Sequence, residues 1–216
     1  MKKNQKMFCC GAILLVLFVL WTVLVSFVDV QAIGPQGSEV GLSALNQFVQ
    51  ENIGVSMPLY VTTDWLSLIP IGFVVGFAVF GVVQLIKRKS ILKVDREILL
   101  LGAFYLTVAA VYVIFEVIII NYRPILIDGQ LEASYPSSTT VLVLCVMLTA
   151  AIQLNCRIKN KVMRSVVLCG IVSFVAFMII CRIASGVHWI TDIIGGMLIS
   201  AGLLTIYYSV KKEYKI

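Results

Sequence analysis

The chain has 216 residues, of which 60% are hydrophobic and 13% charged. Soluble domains carry about 45–50% apolar and about 25% charged residues, so an ordinary cytosolic enzyme, a disordered chain and a disulfide scaffold are excluded. The net charge of +6 reads as loop lysines and arginines anchoring one membrane face, not as a nucleic-acid site. A single all-α membrane domain over residues 1–216 is expected.

The first apolar run, 8–28, follows Lys2, Lys3 and Lys6. A signal-peptide core holds about 7–15 apolar residues, and Val30-Gln31-Ala32 makes a weak cleavage site, so an uncleaved span is expected. Residues 31–64 form the longest polar stretch and hold no Lys or Arg. Within it Leu42, Leu45, Phe48 and Val49 recur at helical spacing. They predict a short amphipathic helix, lying on the outer membrane surface or packed on the bundle. Further spans are predicted at 65–86, 98–122, 137–154, 165–181 and 193–210. Pro70 falls near the start of the second, where a helix tolerates it. Gly72 and Gly76 form a GxxxG that permits close packing. The third is interrupted by Glu116 alone. Cys9, Cys10, Cys145, Cys156, Cys169 and Cys181 show no CxxC spacing and accompany a single histidine, so no disulfide and no metal site is expected.

Six spans put both termini on one side. All but two of the 17 Lys and Arg residues fall on that side, which the positive-inside rule makes cytoplasmic. The exceptions are Arg123 and Arg182, at the outer ends of the third and fifth spans. Near them, on the same side, lie His188, Asp192 four residues later, and the string PSST from Pro136 to Thr139 opening the fourth span. Paired guanidinium forks suit a phosphate. A helix N-terminus flanked by Ser137, Ser138 and Thr139 attracts anions. An Asp at i+4 from a His lies on the same helix face, able to hold one ring nitrogen while the other attacks. Read singly, these are snorkelling anchors, an aromatic-belt histidine and a helix cap; together on one leaflet they point to a phosphate site.

The strings EVIIINYRP (Glu116 to Pro124), PSST (Pro136 to Thr139) and CRIASGVHWITD (Cys181 to Asp192) resemble, in order and spacing, the three motifs of the type 2 phosphatidic acid phosphatase superfamily, KxxxxxxRP, PSGH and SRxxxxxHxxxD. The resemblance covers nearly the whole chain and implies a six-helix membrane bundle with a phosphohistidine mechanism. His188 would be the nucleophile, Asp192 its orienting group, and Arg123, Arg182 and Ser137 the phosphate ligands, with backbone amides around Ser138 completing the cradle. No cofactor or metal is implied, since the arginines supply the positive charge. The departures fall on the leaving-group half. Glu116 stands for the first-motif lysine, Ser138 and Thr139 for the second-motif glycine and histidine, and Cys181 for the third-motif serine.

Thr139 cannot replace the family's histidine as an acid near neutral pH. General acid catalysis contributes about 10²–10⁴-fold. The expected substrate is therefore a lipid diphosphate, such as a polyprenyl diphosphate, whose leaving group is itself a phosphate. Glu116 would serve as a replacement acid or pair with an arginine, the ion pair being favoured. A degenerate member that binds lipid phosphate without turnover is the alternative. A channel or transporter would want several polar residues at mid-membrane, and Glu116 is the sole candidate. The expected setting is a bacterial plasma membrane, with membrane lipids as neighbours and the site facing outward; the sequence sets no oligomeric state.

Overall fold

The computed structural model describes residues 3–213, so Lys2 and Lys215 of the basic tally lie outside the described residues. Nine α-helical segments appear among the described residues: α1 (Lys3–Phe27), α2 (Ser43–Ile53), α3 (Met57–Leu66), α4 (Leu68–Arg88), α5 (Arg96–Val117), α6 (Ser138–Leu142), α7 (Leu148–Arg157), α8 (Lys161–Ala184) and α9 (Ile190–Glu213). A π-helical turn, Val143–Met147, joins α6 to α7. Six helical stretches are long and apolar enough to cross a bilayer: α1, α3 with α4, α5, α6 through α7, α8 and α9. The protein is an all-α, multi-pass membrane bundle.

Its burial pattern is that of a lipid-solvated protein. Phe27, Ile86, Leu106 and Val166 are exposed, whereas Asn46, Thr63, Asn121, Arg182, His188 and Asp192 are buried. Polar groups in hydrocarbon must find partners inside the bundle, so they collect where helices converge. α1 lies along α9, with Gly11 against Ile206 and Gly202 against Leu15; small residues let the two backbones approach. Phe18, Phe115 and Tyr135 stack into an aromatic core beside them.

The basic loops share one end of the bundle. Glu97 takes Lys211 at 3.2 Å and Arg157 at 3.4 Å, and Arg88 pairs with Asp95 at 2.8 Å. Arg123, Arg182 and His188 occupy the other end.

At the outer end two predicted boundaries shift most. The helix expected to open at 65 begins at Met57, because Thr62 and Thr63 return their hydroxyls to carbonyls of the preceding turn and so lie in a helix despite their polarity. The span predicted to 122 leaves the helix after Val117. From there the chain runs extended and folds back, with Tyr122 bridged to Ala133 and Ile127 to Gln130. Asp128 and Gly129 both have positive φ, 49° and 76°, as a tight hairpin turn requires. The physical reason is Asn121: buried, it bonds Gly41 and Asp192 through its side chain and takes Ser134 on its carbonyl, contacts a continuing helix would not supply.

The amphipathic segment also has a particular orientation. α2 buries Ser43 and Asn46 and exposes Leu45 and Phe48. Its polar face meets the bundle, where Asn46 donates to Thr191 Oγ1 at 3.0 Å, and its apolar face turns outward, as lipid contact favours.

Candidate active site

Four parts of the chain converge at the outer end. The hairpin after α5 carries Arg123, α8 ends with Arg182, the α8–α9 connection carries His188, and the first turn of α9 carries Asp192. All four side chains are buried, with residue exposures of 8%, 2%, 4% and 0%. A buried charge is costly unless paired, so their clustering calls for a chemical reason.

His188 sits between two unlike neighbours. Its Nδ1 lies 3.6 Å from Asp192 Oδ2, and its Nε2 lies 3.4 Å from Arg123 Nη1. With Nδ1 toward a carboxylate and Nε2 toward a cation that can only donate, the Nδ1–H tautomer fits and the Nε2 lone pair accepts from Arg123 Nη1. Burial, with Arg123 and Arg182 nearby, pushes the His188 imidazole well below its ordinary pKa, so the ring is neutral when the site is empty. Asp192 is itself fixed by Trp189 N at 2.9 Å and Asn121 Nδ2 at 3.4 Å. Its place in the first turn of α9 also suits an anion electrostatically.

The arginines are held differently. Arg123 Nε lies 2.9 Å from Glu132 Oε2, and its backbone amide donates to the Glu132 carbonyl across the hairpin. Arg182 Nη1 donates to Thr63 Oγ1 at 3.0 Å. Both guanidiniums lie against the ring of Tyr60, with centroid distances of 5.7 Å for Arg123 and 5.1 Å for Arg182. Such contacts contribute about 0.5–2 kcal/mol each.

Ser137 N donates to the Asp192 carbonyl at 3.0 Å, which ties the start of the fourth span to the histidine loop. The approach depends on Gly195 and Gly196: a Cβ on the first would lie 2.7 Å from the Tyr135 ring, and on the second 3.2 Å from the Ser137 carbonyl. Ser137 is fully buried and its Oγ accepts from Thr140. Thr139, Thr140 and Arg182 line a narrow gap nearby. Beside it opens a cavity of about 480 Å³ between α3, α4, α5 and the 138–157 helix. Val74, Val108, Phe115, Leu142 and Val146 give this cavity apolar walls, and Asp64, Tyr112, Glu116, Ser138 and Thr139 supply polar groups. Glu116 pairs with neither site arginine, and the carboxylate on Arg123 is Glu132.

Arg123, Arg182, His188 and Asp192 therefore cluster at the outer end, with Ser137 tied to Asp192 through its backbone, while Thr139 shares a gap with Arg182 and joins Ser138 and Glu116 on the adjoining cavity. Sequence reasoning missed Tyr60, Thr63, Asn121 and Glu132. Asn121 had a visible signal, a lone amide in an apolar run two residues before Arg123. Tyr60 and Thr63 had none beyond helical spacing.

The segment 71–215 matches the family model of the PAP2 superfamily, and the chain belongs to that superfamily. The fold is similar to the crystal structure of a transmembrane PAP2-type phosphatidylglycerolphosphate phosphatase from Bacillus subtilis. That match has a TM-score of 0.63 at 18% identity and covers 95% of this chain and 96% of the other. No curated protein matches the sequence.

Proposed function

We propose that this protein is a membrane lipid phosphatase that hydrolyses a lipid phosphate or diphosphate at the outer leaflet of a bacterial plasma membrane, with both termini cytoplasmic. The observation that carries the reading is the placement of His188, Nδ1 beside Asp192 and Nε2 beside Arg123. The phosphoryl group would lie against Arg123 and Arg182, with Ser137 and the Ser138 amide completing its cradle. Nε2 attacks phosphorus, an N–P bond forms, and the P–O bond to the lipid breaks. Asp192 stabilises the charge left on the ring. Water then attacks the phosphohistidine, inorganic phosphate departs, and Nε2 recovers its lone pair. The apolar cavity beside Thr139 would receive the lipid chain, since buried apolar surface contributes about 25 cal/mol per Å².

Thr139 leaves the departing oxygen without an acid. A leaving phosphate monoester has a second pKa near about 6, whereas an alkoxide needs a proton in the transition state. A lipid diphosphate, polyprenyl diphosphate above all, is therefore the favoured substrate. The test is phosphate release from a panel of lipid mono- and diphosphates, run beside His188→Ala. Release from a diphosphate, lost in the variant, supports the reading; phosphatidate cleaved as fast as a diphosphate overturns the substrate preference. The changes at Glu116 and Thr139 together favour a second reading, a member that binds lipid phosphate without turnover. Failure to trap phosphate on His188 with any of these substrates would select it.

A further inference from the structure

The matched family segment begins at residue 71, yet two of the residues that hold the site arginines come from α3, before it. Tyr60 and Thr63 are three residues apart in MPLYVTTDWL and so share one helix face. That face meets the guanidiniums. Thr63, fully buried, accepts from Arg182 Nη1 at 3.0 Å. The Tyr60 ring touches both cations, at 5.1 Å from Arg182 and 5.7 Å from Arg123. The preceding turn is docked to the same loop, with Ser56 N on the Ser185 carbonyl at 2.9 Å and Gln50 Nε2 on the Gly186 carbonyl at 2.9 Å.

Two cations set side by side in a dry pocket repel. Arg123 has Glu132 as counterion, but Arg182 has no carboxylate within ion-pair distance among the described residues, and its buried Nε has no partner. The negative pole that both guanidiniums see in common is the face of Tyr60, the arrangement a ring quadrupole favours. We infer that Tyr60 is a positioning residue: its ring gathers Arg123 and Arg182 into a preformed phosphate clamp, and Thr63 fixes the fork of Arg182. This rests on the phosphatase reading above and adds α3 to the site. Preformed cations lower the cost of binding the phosphoryl group. The attack by His188 is set separately, by Asp192. Loss of the ring therefore acts on substrate affinity more than on turnover.

The experiment uses the full chain in detergent micelles, with two readouts: the rise in thermal midpoint on adding inorganic phosphate, and KM and kcat for phosphate release. Tyr60→Leu is expected to need about tenfold more phosphate for the same rise and to lift KM about tenfold, with kcat changed less than about threefold; Tyr60→Phe, which keeps the ring, restores most of both. Tyr60→Met, similar in bulk but without a π face, replaces the leucine variant if that one does not fold. Three results overturn the proposal. They are wild-type phosphate affinity in the leucine or methionine variant, a phenylalanine variant as impaired as leucine, and loss of fold in both leucine and methionine variants, which would make the ring a packing element. If the wild-type chain neither responds to phosphate nor releases it, the phosphatase reading fails and this inference with it. A wild-type response matched by the leucine variant removes Tyr60 alone.

Discussion

His188 Nε2 lies 3.4 Å from Arg123 Nη1, so the ring nitrogen proposed to attack phosphorus faces a guanidinium. Its other nitrogen faces Asp192, which is fully buried and held by Trp189 N and Asn121. A histidine poised this way needs the carboxylate more for charge than for shape. Asp192→Asn is therefore expected to keep the fold and to lower kcat by about 10²–10⁴-fold, measured as phosphate release from a lipid diphosphate. A loss below about threefold would assign Asp192 to packing alone.

The His188 ring also sets a pH dependence. Its folded pKa lies well below the ordinary value, through burial first and the two arginines next, while the unfolded chain titrates near about 6.5. On acidification the unfolded state takes up a proton that the empty folded site refuses, so stability falls as pH drops below about 6.5. His188, the proposed nucleophile, stays unprotonated through the same window. The expected kcat/KM profile has no acid limb between pH 6 and 7, and His188→Asn reduces the acid-dependent loss of stability. A limb centred near 6.5 in the free enzyme would contradict both.

How much of this was legible in the sequence follows from which interactions are local. The bundle was legible because hydrocarbon solvation imposes long apolar runs, and Arg123, Arg182 and His188 stood out as polar groups at the sparsely charged end. The breaks were not. Asn121 pulls the chain out of α5 through bonds to Gly41 and Asp192, residues distant in sequence. The partner of Arg123 turned on register across a hairpin, which brings Glu132 to its side chain and leaves Glu116 on the apolar cavity. Tyr60 reads as an ordinary interfacial tyrosine until α3 is seen against the two guanidiniums.

Gly186 offers a test of the backbone that carries the histidine. Its φ is +63°, and a Cβ there would lie 1.8 Å from the Gly54 carbonyl oxygen. Gly186→Ala both strains the left-handed backbone, by about 1–3 kcal/mol, and drives the 54–56 turn off the α8–α9 loop. The expected result is a lower thermal midpoint together with weakened phosphate binding, because Tyr60 and Thr63 follow directly on that turn. An alanine variant with wild-type stability would show that the turn is free to retreat.

Glu116 borders the cavity beside Ser138 and Thr139 and stands where the family motif has lysine. A carboxylate there disfavours a second anionic group nearby. Glu116→Lys is expected to lower KM for a lipid diphosphate several-fold, while Glu116→Gln separates an acid role from a passive one. A pH–rate profile unchanged by glutamine excludes proton donation by this residue.

Thr139 supplies the sharpest test of the leaving-group argument. It lines the gap next to Arg182 and also the wall of the apolar cavity, so under the proposed function its side chain borders the leaving lipid oxygen. A hydroxyl does not donate a proton usefully near pH 7, whereas an imidazolium does, and a well-placed acid is worth about 10²–10⁴-fold. Because the residue is buried and the surroundings have adapted to threonine, Thr139→His should recover part of that range: about tenfold or more in kcat on phosphatidate, with less than about threefold on a lipid diphosphate. Equal gains on both substrates would mean that the diphosphate also lacks a proton at its leaving oxygen. No gain on either would show that this position does not reach the scissile bond.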